Sequence, residues 1–66
     1  MGNKLKQARR KKMMTQEELA QKSGVSRNTI ISIEKNGEGT ASTVTLFKLA
    51  TALGTTVDKI FFQKSV

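Results

Sequence analysis

The stretch from Arg27 to Asn36 holds the side chains of this chain best suited to specific chemistry. At helical spacing Ile30, Ile33 and Glu34 share a face with Thr29, whereas Arg27, Asn28, Ile31, Ser32 and Lys35 point the other way. The outer set is short, polar and cationic. Arginine can grip a guanine edge through two hydrogen bonds and asparagine an adenine edge through two; serine adapts to either, and isoleucine can pack on a thymine methyl. A solvated surface helix with no partner would be equally polar, but Ile31 weighs against it, because an isoleucine on an outer face gains nothing from water. The chemistry implied is noncovalent reading of base edges in duplex DNA.

Covalent chemistry is not indicated. The chain has no His, Cys or Tyr to act as base or nucleophile, and Glu17 and Glu18, adjacent on a helix, point apart. The same absences remove disulfides, thiol chemistry and the usual zinc sites. The chain is therefore expected not to be an enzyme and to need no metal or cofactor, and no small-molecule ligand is evident.

The elements that must position the outer set can be read from their ends. Thr15 is an N-cap with Glu18 three residues on to complete a capping box, and Met14 and Leu19 occupy the positions of a hydrophobic staple. Gly24 follows the helix and supplies a left-handed turn, Ser26 is the next N-cap, and Gly37 closes the second helix. A break of about three residues between two short helices is the spacing of a helix-turn-helix. Helices are expected at residues 3–13, 15–23, 26–36, 42–53 and 56–62. Ser42 and Thr56 cap the last two, Gly54 stops the fourth, and Asp58 suits the dipole of the fifth. The expected core is Leu5, Ala8, Leu19, Ala20, Val25, Ile30, Ile33, Leu46, Leu49, Ala50, Leu53, Val57 and Ile60.

Twelve Lys and Arg against five acids give a formal charge of +7 and a pI near 10.3, which points to a polyanionic partner. Lys4, Lys6, Arg9, Arg10, Lys11 and Lys12 crowd into the first helix, where they should raise association rate and nonspecific affinity rather than read bases. The polar residues Asn3, Lys6 and Gln7 interrupt any broad apolar face that could lie on a membrane. No apolar run approaches the roughly 20 residues needed to span one, and the N-terminus lacks the apolar stretch of a signal peptide. A soluble cytoplasmic protein, associated with the nucleoid when bound to DNA, is expected. At 66 residues the chain has room for one domain, 1–66, and a core small enough to favour dimerisation.

Over about residues 4 to 61 the chain resembles the Xre-like regulators of the lambda Cro and phage repressor type. The resemblance rests on TQEELA, GVS, TI, IEKNG and LATALG taken together. It implies an all-α, compact five-helix bundle of the lambda-repressor-like kind, acting as a sequence-specific transcriptional regulator, a repressor binding double-stranded DNA as a homodimer on an inverted repeat. Ser26, Arg27, Asn28 and Ser32 would face bases or the adjacent backbone, with Ile31 beside them. Gln16 would bind a phosphate, the loop at Asn36 and Gly37 would offer backbone amides to phosphate, and Thr15, Lys35 and Arg10 are further candidate phosphate contacts. Arg9 and Glu34 would form an ion pair tying the first helix to the recognition helix. Two departures stand out. The loop Gly37-Glu38-Gly39-Thr40-Ala41 carries an acid where the family is often basic, and Ala41, Thr43 and Thr55 replace the family's Pro, Leu and Val, which predicts a less firm start to helix 4.

The C-terminal end holds Phe61 and Phe62, one expected in the core and one spare. A spare aromatic in a two-fold regulator suggests an isologous seam. Residues 60–66 are accordingly read as a dimerisation segment with Ile60, Phe61, Phe62 and Val66 at the interface, and the last five residues as a candidate short strand, since the family pairs subunits there. The alternative is an antitoxin-type module that binds a protein toxin and autoregulates its operon through the same helix-turn-helix.

Overall fold

The computed structural model describes residues 4–37, 39 and 41–61, and all the regular elements among them are helices. They are α1 (Leu5–Lys11), α2 (Gln16–Ser23), α3 (Arg27–Asn36), α4 (Thr43–Ala52) and α5 (Val57–Ile60). The five expected helices are present, each shorter than its sequence pattern by one to several residues at its ends. The candidate strand and Phe62 and Val66 lie outside the described residues. No helix among those described is long and apolar enough to cross a membrane.

Side-chain caps set the starts of the three central helices. Thr15 and Glu18 form the full capping box of α2, with Glu18 N donating to Thr15 Oγ1 at 3.0 Å and Thr15 N to Glu18 Oε1 at 2.8 Å. Ser26 accepts from Thr29 N at 3.2 Å to start α3. Ser42 accepts from Thr45 N at 3.2 Å, so α4 begins on a hydroxyl cap despite Ala41 and Thr43. Thr56 occupies the N-cap position of α5 but makes no side-chain cap bond, contrary to the expectation from its type.

Two helix ends share one hydrogen-bond pattern with different residues at its critical position. After α4, Gly54 N donates to Thr51 O and Thr55 N to Ala50 O, both at 3.0 Å, with Gly54 left-handed at φ +69°. After α1, Met13 N donates to Arg10 O at 2.9 Å and Met14 N to Arg9 O at 3.1 Å, with Met13 at φ +56°. Both are Schellman motifs, and methionine at the left-handed position carries steric strain that glycine does not. This turn ends α1 at Lys11, two residues before the sequence pattern suggests.

The core is Leu5, Leu19, Val25, Ile30, Ile33, Leu46, Leu49, Ala50, Leu53, Ile60 and Phe61, with Ala8, Met14, Ala20 and Val57 packed partly buried against it. α2 packs on both α3 and α4, α5 on α4, and α1 on α3, so α3 is held from two sides. Lys4 N donates to Ile60 O at 3.0 Å, which ties the start of α1 to the end of α5. Ile60 and Phe61 are only 3% and 5% exposed. They pack into the protomer's own core, where Phe61 takes the place expected of one of the two terminal aromatics. The large apolar side chains exposed among the described residues are Met13, Val44 and Phe47.

Candidate nucleic-acid interface

Gly24 makes the bend between α2 and α3. It is left-handed at φ +77°, donates its N–H to Ala20 O at 2.9 Å, and is followed after one residue by Ser26, the cap of α3. A chain this abruptly turned presents the N-terminus of α3 with little slack. Ile30 and Ile33 are fully buried, which fixes the rotation of α3 about its axis.

That rotation leaves Ser26, Arg27, Asn28, Lys35 and Asn36 exposed. Asn28, Ile31 and Lys35 recur at helical spacing on one line. Ile31 and Ser32 are half-buried rather than fully outward, so they border the outer face. Ser26 is more committed than its type suggested. Its Oγ accepts from Thr29 N and shares a second hydrogen bond with Thr29 Oγ1 at 2.8 Å, leaving it one bonding position.

A buried polar network sets the position of α3 against α1 and α2. Arg9 Nε donates to Glu34 Oε2 at 2.7 Å, Arg9 Nη2 to Glu34 Oε1 at 3.2 Å, and Arg9 Nη1 to Met14 O at 2.8 Å. The two side chains are 10% and 5% exposed, which makes this a forked and largely desolvated pair. Gln16 Nε2 donates to the same Glu34 Oε1 at 3.1 Å. The expected Arg9–Glu34 pair is present, and it is joined by Gln16, a link that no spacing in the sequence announces. Every buried side-chain nitrogen and oxygen among the described residues has a partner.

Several expected phosphate contacts can be judged against this geometry. Gln16 is half-buried and gives one amide N–H to Glu34, which leaves the second N–H for an outside acceptor. The Thr15 oxygen accepts from the capping bond, and its hydroxyl proton stays available. Arg10 and Lys35 are exposed. Gly37 differs from expectation: it is buried, and its amide donates to Ile33 O at 2.9 Å to close α3, so that N–H is not available to phosphate.

The helix-turn-helix family profile matches residues 5–60, which spans all five helices. This chain belongs to the Xre-like helix-turn-helix family. An uncharacterized HTH-type transcriptional regulator from Methanocaldococcus jannaschii is 49% identical over 64 residues, covering 97% of this chain and 96% of that protein. The match extends beyond the two motif helices, so the bundle that carries the helix-turn-helix is shared as well as the motif itself.

Proposed function

We propose that this helix-turn-helix regulator binds double-stranded DNA by laying α3 in the major groove, as a homodimer that represses transcription from an inverted-repeat operator. The observation that carries the reading is the exposed set Arg27, Asn28 and Lys35 on a helix whose other face is clamped by Ile30, Ile33 and the Arg9–Glu34 pair. A rigid helix with bidentate donors and acceptors at its N-terminal end matches how base edges are read. Gln16, which bonds Glu34 in the last turn of α3, together with Thr15 beside it and the exposed Arg10, binds phosphates, which fixes register without conveying sequence. Two copies of α3 in successive grooves lie about 34 Å apart on one face of the duplex. Val44 and Phe47, one turn apart on α4, supply exposed apolar surface for pairing the copies. Occupying a promoter in this way blocks polymerase.

Competition binding on operator and random duplexes tests the roles. Asn28→Ala removes discrimination at one base position, weakening operator binding by about 1 to 3 kcal/mol while leaving random DNA unchanged. Gln16→Ala weakens both alike and reduces the steepness of the salt dependence by about 0.9. Equal losses on both duplexes for both variants would show that these roles are misassigned.

A further inference from the structure

A wide cleft among the described residues is separate from α2 and α3. It is an open cavity of about 740 Å³ lined by Lys4, Gln7, Ala8, Lys11, Lys12, Leu53, Gly54, Thr55, Lys59 and Ile60. Four lysines thus meet between the outer side of α1, the turn after α4, and α5. No acid lines it among the described residues, and among those same residues Arg9–Glu34 is the one ion pair, so none of these four ammonium groups is paired with a described carboxylate. Gly54 lies at the turn beside Lys12, its Cβ position 4.0 Å from Lys12 Nζ, and its left-handed φ of +69° disfavours any side chain there. Leu53 and Ile60 are almost fully buried beneath the cleft and offer little surface to a ring, whereas Gln7 is exposed and Thr55 half-exposed at its wall.

We infer that this cleft binds a compact oligophosphate group, inorganic or carried by a nucleotide, at Lys4, Lys11, Lys12 and Lys59. Like charges gathered in a recess focus a positive potential that a dense polyanion relieves. Ammonium groups on flexible stems suit phosphate oxygens as point charges from several directions. A duplex is some two nanometres wide and cannot enter a recess of this volume, and its proposed contacts lie on α2, α3 and Arg10, none of which lines the cleft. Occupancy neutralises part of the +7 charge that draws the protein to DNA, so the bound anion lowers affinity for random duplex more than base discrimination. The sequence gives no sign of this site because residues 4, 11, 12 and 59 come together only through the fold.

The test is a titration of the full chain with tripolyphosphate, ATP and adenosine, followed by amide NMR shifts at moderate salt. Saturable shifts are expected at Lys11, Lys12, Gly54, Thr55 and Lys59 with tripolyphosphate and ATP, none with adenosine, and α3 amides stay still. Lys11→Gln with Lys12→Gln should weaken tripolyphosphate binding about tenfold. Lys22→Gln with Lys48→Gln, which lowers net charge equally on another surface, should leave it within twofold. An equal loss in both double variants would show a general charge effect and overturn the site. So would shifts centred on Arg27 to Lys35, which would mean that the anion occupies the DNA face, or shifts that never saturate. The base-reading assignment stands or falls separately, since the lysines tested contribute only general charge to DNA binding and none of them reads bases.

Discussion

Arg9 and Lys12 stand three residues apart near the end of one helix, and their surroundings are opposite. On the side of α1 that meets α2 and α3, the Arg9 guanidinium is almost fully desolvated, forked onto Glu34 and capped onto Met14 O. On the side that meets α5 and the turn after α4, Lys12 joins Lys4, Lys11 and Lys59 with no carboxylate among the described residues lining the cleft. The inner charge is consumed in fixing the angle of α3, so it contributes little to the field outside. The outer charges fix nothing and remain a field that an external anion can use. The helix ends follow the same division: α2, α3 and α4 start on side-chain caps, while α1 and α5 start without one.

The largest effect should come from breaking the inner pair. Arg9→Ala leaves Glu34 buried without its cation and should cost about 3 kcal/mol, a large fraction of the stability of a domain this size, measured by urea unfolding. Replacing both partners, Arg9→Met with Glu34→Met, should recover most of that stability because the desolvation penalty goes with the charges. The double variant still loses the anchor of Gln16, so its DNA affinity should remain below that of the wild type.

Next in size is the difference between caps. Thr15→Ala removes a bond made to Glu18 N and should cost about 1 kcal/mol, whereas Thr56→Ala removes no cap bond and should cost no more than about 0.3 kcal/mol. Equal costs would erase the distinction between the two ends of the molecule. Met13→Gly should raise stability by about 0.5 kcal/mol, since glycine relieves the left-handed strain but loses more chain entropy on folding. Smallest is Lys11→Gln, which should stabilise by about 0.3 kcal/mol at low salt by relieving repulsion in the cleft, with the gain vanishing at high salt.

Local signals made most of the fold legible. Thr15, Ser26, Ser42, Gly24 and Gly54 each act within a few residues of themselves, so their types alone place the helix ends, and the periodic apolar residues identify the core down to Val25 and Ile60. Met13 escaped because only its partners across the turn reveal the Schellman geometry that a glycine would have advertised. Which of the two terminal aromatics enters the core is not legible, because aromatic density near a chain end does not say where the core has room; Phe61 does so. At the interface, exposure of Arg27 and Asn28 follows from the same period that buries Ile30 and Ile33. The closing use of the Gly37 amide is a local bond to Ile33 that follows from its place at the helix end, whereas the Gln16–Glu34 bond depends on how helices pack, and a single sequence does not carry that distance information.

Selection of bound duplexes from a random DNA library, at near-physiological salt, tests most directly whether the clamped α3 reads bases. Enrichment of an inverted repeat with half-site centres about one helical turn apart is the predicted result. Salt-sensitive binding without any enriched sequence would contradict the account, because it would mean that Arg27, Asn28 and Ser32 meet DNA only as part of a charged surface.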